Sequence, residues 1–211
     1  MIHGVLTLLD ALGTTSSKGE DLEFKIKGLD KLDRKIRKNI RTLSSKLGIY
    51  GYNNALISVS IYDNIQIFLP TDLLVRNFTD MSGKNPLWWT IVTIGELMID
   101  VFRYALINGV PLRGCITSGY GVMSKSDRIL GPIATEASKF YELGDWIGII
   151  ASYHTKLVLN SKVSVNPNQE FSEPFTQDAV PIVQNKNSIK WDNVDIVKIQ
   201  DPIFWSLKWP I

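Results

Sequence analysis

LTLLDALGTTSS (residues 6–17) and SVSIYDNIQIFLP (residues 58–70) decide how this chain is read. Each sets one carboxylate, Asp10 or Asp63, in or against an apolar run of strand character. An ionised carboxylate is costly to bury without a metal or a positive partner, so two such positions point to a shared cation site. Outward from them the chain alternates strands and helices. HGVLTLL (3–9) reads as a short buried strand, and Gly13, Thr14, Thr15, Ser16 and Ser17 as a turn rich in helix-capping residues. A helix is predicted over 28–47, ending near Gly48. ALISVSIYDNIQIFL (55–69) has two strand-like flanks around a turn-like centre, which predicts a hairpin turning near Asp63-Asn64. Helices follow at 71–79 and 86–108, the second closed by Asn108-Gly109. LRGCITSGYGV (112–122) reads as a strand, SKSDR (124–128) as a turn, and GPIATEASKFYELGDW (131–146) as a helix capped by Gly144. IGIIAS (147–152) is a further strand, and the Asn-, Pro- and Ser-rich tail from about 155 ends in a strand pair near 179–199.

The order β-α-β-β-α-β is that of a ferredoxin-like α+β sheet with helices on one face. In that topology the first strand lies beside the hairpin strand, so Asp10 and Asp63 converge despite their separation in sequence.

Composition sets the frame. With 211 residues, 45% hydrophobic and 21% charged, the chain is an ordinary globular protein, expected to be one domain over 1–211 with a core at about 3–152 and a C-terminal strand extension at about 153–211. A formal net charge of +2 does not indicate a nucleic-acid partner, and KLDRKIRKNIRTLSSK (31–46) reads as an amphipathic helix with a solvated basic face. A single cysteine, Cys115, excludes an intramolecular disulfide, and MIHGVLTLLDALG lacks a basic segment ahead of its apolar stretch, so a cytoplasmic location is expected. PLWWTIVTIGELMIDVFRYALI (86–107) holds Glu96, Asp100 and Arg103, which are costly in a bilayer centre; it reads as a buried amphipathic helix, with no membrane association. His3, His154 and Cys115 lack metal-ligand spacing and read as structural, and Trp88-Trp89 as packing in the core or a dimer interface.

Four motifs in order resemble those of class III nucleotidyl cyclases. LLDALGTTSS resembles the family's Asp-x-x-Gly-x-Thr opening, with Asp10, Gly13 and Thr15 matching, and SIYDNIQIFLP resembles its second metal motif around Asp63. LRGCITSG resembles the Arg-x-Gly-Ile-x-x-Gly strand with the glycine moved one place, and ILGPIATEASKFYE the Gly-x-x-x-Asn-x-Ala-x-Arg helix. The compact Pycsar pyrimidine cyclases of bacterial antiphage defence look closer than the purine enzymes, through the arginine-glycine strand, the Gly-Pro start, the Glu-Ala helix and DAVPIVQNKNSIKW.

The resemblance implies a homodimeric enzyme that converts UTP or CTP to the 3′,5′-cyclic monophosphate and pyrophosphate, using two Mg²⁺ or Mn²⁺ ions per site. It assigns the metals to Asp10, the Ala11 carbonyl and Asp63, and the β- and γ-phosphates to backbone N–H groups at Gly13, Thr14 and Thr15, at a helix N-terminus. Arg113 matches a phosphate-contacting arginine. Thr135 stands where the family has its ribose-orienting asparagine, and Lys139 where it has its transition-state arginine; both would act across the dimer. A lysine brings charge without the planar fork. Four residues before Asp63, where purine cyclases select their base, stands Val59, and near the other base-reading position lie Arg128 and Ile129. With Tyr62 narrowing the pocket, these residues favour a pyrimidine, and an arginine donor at Arg128 suits the O4 of uracil, placing UTP ahead of CTP. An adenylate or guanylate cyclase is the nearest alternative, and a nucleotide-binding sensor without turnover is an alternative of another class.

Overall fold

A computed structural model describes residues 1–13, 18–46, 57–61, 64–77, 85–123, 129–141, 147–160, 175–179 and 203–207. Strand β1 (Ile2–Ala11) leads into α1 (Glu20–Lys46), then β2 (Ile57–Ile61), β3 (Asn64–Pro70), α2 (Thr71–Asn77), α3 (Pro86–Ile107) and β4 (Leu112–Met123). A two-residue β5 (Ile129–Leu130) precedes α4 (Pro132–Tyr141), β6 (Gly148–Ala151), α5 (Tyr153–Asn160), β7 (Phe175–Ala179) and β8 (Ile203–Leu207). The sheet order is β2-β3-β1-β4-β6-β8-β7, with β5 paired onto β4. Its first four strands, β2-β3-β1-β4, give the ferredoxin-like order expected from the sequence, all antiparallel. Beyond them β6 runs parallel to β4, with α4 in the crossover between them.

The two sheet faces are covered by different helices, which corrects the one-face expectation. Odd-numbered residues of β1 (Val5, Leu9, Ala11) join α1 and α3 in the larger core, with Leu32, Ile36, Ile91, Ile94 and Met98 buried against them. Even-numbered Leu6 and Leu8 face the other way and pack with Phe68, Ile129 and the α4 residues Ile133 and Ala137. The cause is the period-two alternation of a strand: β1 is apolar on both sides, so each side needs a cover. Each fully buried Leu or Ile contributes on the order of 1.5–3 kcal/mol.

Helix boundaries moved for local reasons. Helix α1 opens eight positions before the expected 28, because Glu20, Asp21 and Glu23 suit the positive end of the helix dipole and Lys25–Asp21 (3.4 Å) and Lys27–Glu23 (3.8 Å) pair along the first turns. That stretch is mostly exposed, so no apolar period announced it. Helix α3 matches expectation; Asn85 accepts the Leu87 N–H at 3.0 Å, and Gly109 takes φ +70° just past the end. Helix α5 lies where an irregular tail was expected: Ser152 caps it, its carbonyl accepting the Lys156 N–H at 2.8 Å. Strands β7 and β8 pair at 175–179 and 203–207, and the strand pair predicted near 179–199 lies, beyond Ala179, outside the described residues. Gly48, the SKSDR turn and Gly144 lie outside the described residues. Among the described residues no helix is long and apolar enough to cross a membrane.

Candidate functional site

Asp10 continues the even-numbered face of β1 past Leu8, at the strand's last turn-ward positions. The register brings Arg113 of β4 directly opposite on one side and Asn64 of β3 on the other. Residues opposite each other across strands share a face, so one row carries Asn64, Asp10 and Arg113. Arg113 Nε donates to Asp10 Oδ2 at 2.9 Å; the carboxylate side chain is 13% exposed and the arginine 29%. The positive partner that a half-sunken aspartate requires is therefore supplied by the chain itself. The guanidinium carbon also lies 5.3 Å from the centre of the Tyr141 ring, the last residue of α4. Arg113 thus ties the carboxylate to the helix that covers this face.

Gly114, next to Arg113, is a close-approach glycine. A Cβ there would stand 2.6 Å from the Leu8 carbonyl oxygen and 2.7 Å from Leu9 Cδ2. The arginine-glycine pair of the sequence motif therefore has a packing reason: the glycine lets β4 close on β1 where the arginine meets Asp10.

Of the turn after β1, the described part ends at Gly13. Gly13 has φ +78°, and Lys25 Nζ donates to its carbonyl at 2.9 Å. Helix α1 opens at Glu20, with an acidic first turn. Lys25 brings a positive charge to Gly13, and sequence reasoning missed it because the residue was read as lying before the helix. Thr14 and Thr15 lie outside the described residues.

On α4, Ile133, Ala137 and Phe140 form the buried stripe. Thr135 and Lys139, four apart, share a row on the exposed side, and Thr135 Oγ1 donates back to the Gly131 carbonyl at 3.2 Å. Within the chain they are displayed outward, away from the Leu6–Leu8 row. Glu136 anchors the helix to α5: its Oε2 pairs with His154 Nδ1 at 2.6 Å and its Oε1 accepts the His154 N–H at 3.3 Å. Beneath them Ser152 Oγ donates to Thr117 Oγ1 (2.9 Å) and Thr155 Oγ1 to Ser118 Oγ (3.3 Å), a buried hydroxyl chain that satisfies itself. Burial pushes the neighbouring Cys115 thiol well up, the Glu136 charge adds to this, and a backbone hydrogen bond with Ser152 partly offsets it. The cysteine is thereby an inert core residue, as its sequence context suggested.

Of the base-reading positions the structure describes Ile129 and the backbone of Val59. Ile129 is 2% exposed and packs beneath α4 with Leu6 and Leu8. Val59 pairs with Gln66 across β2 and β3. Tyr62, Asp63 and Arg128 lie outside the described residues, although Asn64, next in sequence to Asp63, sits across from Asp10. Gln66 was not singled out from the sequence. Its Oε1 is buried without a hydrogen-bond partner, a condition that costs about 1–3 kcal/mol. The signal available was a second amide, two residues after Asn64, in the alternating run NIQIFL.

A divalent-cation site can be tested by donor chemistry. Among the described residues no three His, Cys, Asp or Glu side chains cluster to hold a metal. What this end of the sheet offers is the Asp10 carboxylate, the Ala11 carbonyl and the Asn64 amide, oxygen donors of the kind Mg²⁺ and Mn²⁺ prefer. The set fits by type and needs Asp63 to complete it.

No sequence-family profile matches the chain, and no curated protein matches it in sequence. In three dimensions it is similar to the catalytic core of a rhodopsin-guanylyl cyclase with converted specificity, solved in complex with ATPαS: TM-score 0.50 at 14% identity, over 97% of this chain and 95% of that one. A bacterial light-regulated adenylyl cyclase is similar at TM-score 0.46 and 10% identity, over 84% of each chain. The chain therefore has the fold of a class III nucleotidyl cyclase core.

Proposed function

We propose that the protein is a nucleotidyl cyclase acting on a pyrimidine nucleoside triphosphate, UTP ahead of CTP, as a homodimer. The observation that carries the proposal is the Asp10–Arg113 pair at the end of β1, set on a cyclase-like sheet beside the strand that follows Asp63. In the reaction the ribose 3′-hydroxyl oxygen bonds to the α-phosphorus as the bond to the β-phosphate oxygen breaks. Pyrophosphate leaves, and the hydroxyl proton passes to solvent. Bound Mg²⁺ or Mn²⁺, held by Asp10, the Ala11 carbonyl and Asp63, would neutralise charge on the attacking and leaving oxygens. The chain's own contributions are orientation and positive charge. Arg113, already beside the carboxylate, offers its remaining N–H groups to phosphate oxygens, and Lys25 adds charge at the turn where Gly13, Thr14 and Thr15 would meet the β- and γ-phosphates. The outward display of Thr135 and Lys139 supports a site completed by a second copy. Lys139 would then balance the extra charge on the phosphorus centre, and Thr135 orient the ribose. Val59, Tyr62 and Arg128 stand as the candidate base-facing set, with Ile129 backing it from the core and Arg128 donating to uracil O4. By resemblance the product serves as a second messenger in antiphage defence.

Incubation with each of the four NTPs and Mn²⁺, with products separated chromatographically, tests the activity. Cyclic UMP or cyclic CMP with pyrophosphate is expected; cyclic AMP or cyclic GMP redirects the base assignment, and binding without pyrophosphate release shows a sensor instead. In the same assay, Asp10→Ala protein mixed with Lys139→Ala protein recovers activity if the site is shared between chains. No recovery despite confirmed subunit exchange places the whole site in one chain.

A further inference from the structure

We propose that Gln66 is the residue that hydrogen-bonds the nucleobase, an assignment that rests on the cyclase reading above and extends it to the edge of the base. Gln66 lies in the middle of β3, paired with Leu8 of β1 on one side and Val59 of β2 on the other. The same cross-strand row continues through Cys115 of β4 to Ile150 of β6. Val59, Leu8 and Ile150 offer a base no hydrogen bond, and Cys115 is fully buried with its thiol held neutral. Gln66 is therefore the polar member of an otherwise apolar row, one step along the sheet from Asn64 and Asp10 on the same face.

Its Oε1 is buried and unpartnered, although the residue as a whole is partly exposed. Folded proteins pair nearly all buried polar atoms, so an exception calls for an explanation, and a bound ligand is one. The terminal torsion of a glutamine is broad, so a partial turn of the amide brings Oε1 out beside Nε2 on the open side. An amide presents an acceptor and a donor side by side. The N3–H and O4 of uracil match that pair, and the N3 and N4 amine of cytosine match it after the amide turns over. The ligand is thus the hydrogen-bonding edge of a pyrimidine nucleoside triphosphate. Gln66 anchors either base, while the choice between them falls to Arg128 in the reading above.

The test compares wild-type protein with Gln66→Leu and Gln66→Met, measuring kcat and KM for UTP, CTP, ATP and GTP, inhibition by inorganic triphosphate, and Tm. For the preferred nucleotide, kcat/KM is expected to fall about 10-fold or more, chiefly through KM, as for loss of a two-point base contact. Inhibition by triphosphate, which has no base, stays unchanged, and Tm holds or rises because an orphaned polar atom has been removed. Wild-type turnover with unaltered KM in both variants overturns the assignment alone. A lower Tm together with weakened triphosphate inhibition shows a structural role and also overturns it. Wild-type protein that cyclises none of the four nucleotides overturns the cyclase reading, and this assignment with it.

Discussion

Replacing Arg113 by leucine leaves the Asp10 carboxylate, 13% exposed, without the guanidinium that now sits 2.9 Å away. Breaking a fully buried pair costs about 3–5 kcal/mol because the remaining charge is stranded. Arg113 is itself 29% exposed, so water reaches part of the pair, and the expected cost falls to about 2–3 kcal/mol. Loss of the contact with the Tyr141 ring is included in that range. For a chain of this size each kcal/mol lowers Tm by roughly 2–4 °C, so Arg113→Leu should melt about 5–10 °C below wild type. Deleting a metal-site carboxylate ordinarily relieves like-charge repulsion. Asp10→Asn here strands the arginine instead and should cost about 1–2 kcal/mol. The double variant should be less destabilised than the sum of the singles by about 1–2 kcal/mol, since both substitutions break the same contact. Urea unfolding of the four proteins, followed by circular dichroism, gives the coupling. Costs that add to within about 0.5 kcal/mol would refute the claim that this pair organises the end of β1.

Two more expectations follow from local geometry. Gly114→Ala should destabilise the fold by about 1–3 kcal/mol, because its Cβ meets the Leu8 carbonyl oxygen at 2.6 Å and backbone cannot rotate aside; an unchanged urea midpoint contradicts the close approach of β1 and β4. Cys115 should be unreactive to thiol reagents in the native state, and its raised pKa makes stability pH-dependent in one direction. The contribution is fully present below the ordinary thiol pKa of about 8.5; above it the unfolded chain releases a proton that the folded chain keeps, and stability falls by about 1.4 kcal/mol per pH unit. Cys115→Ala should lack that slope between pH 8 and 10, and an identical slope in the variant would assign it to other groups.

Local patterns in the sequence were enough for the elements whose signals are short-range. The apolar run of β1, the hairpin-like flanks around Asp63, the Asn85-to-Asn108 span of α3 and the strand opened by Leu112-Arg113 were all legible, since period and capping are written in neighbouring residues. Exposed or weakly apolar elements were not: the first turns of α1 and the short α5 are held by acids, ion pairs and a serine cap rather than by an apolar stripe. Motif order suggested that Asp10 and Arg113 belong to one site, yet their hydrogen bond spans 103 positions and exists only because β1 and β4 pair in this register. Which charge neutralises Asp10, which face α4 covers, that Lys25 reaches back to Gly13, and that Gln66 keeps a buried oxygen unpaired are facts of strand register and packing. A one-residue slip of β3 or β4 against β1 would send Gln66 or Arg113 to the opposite face, and the placement of α1 and α4 depends on packing against that sheet, so tertiary structure decided them.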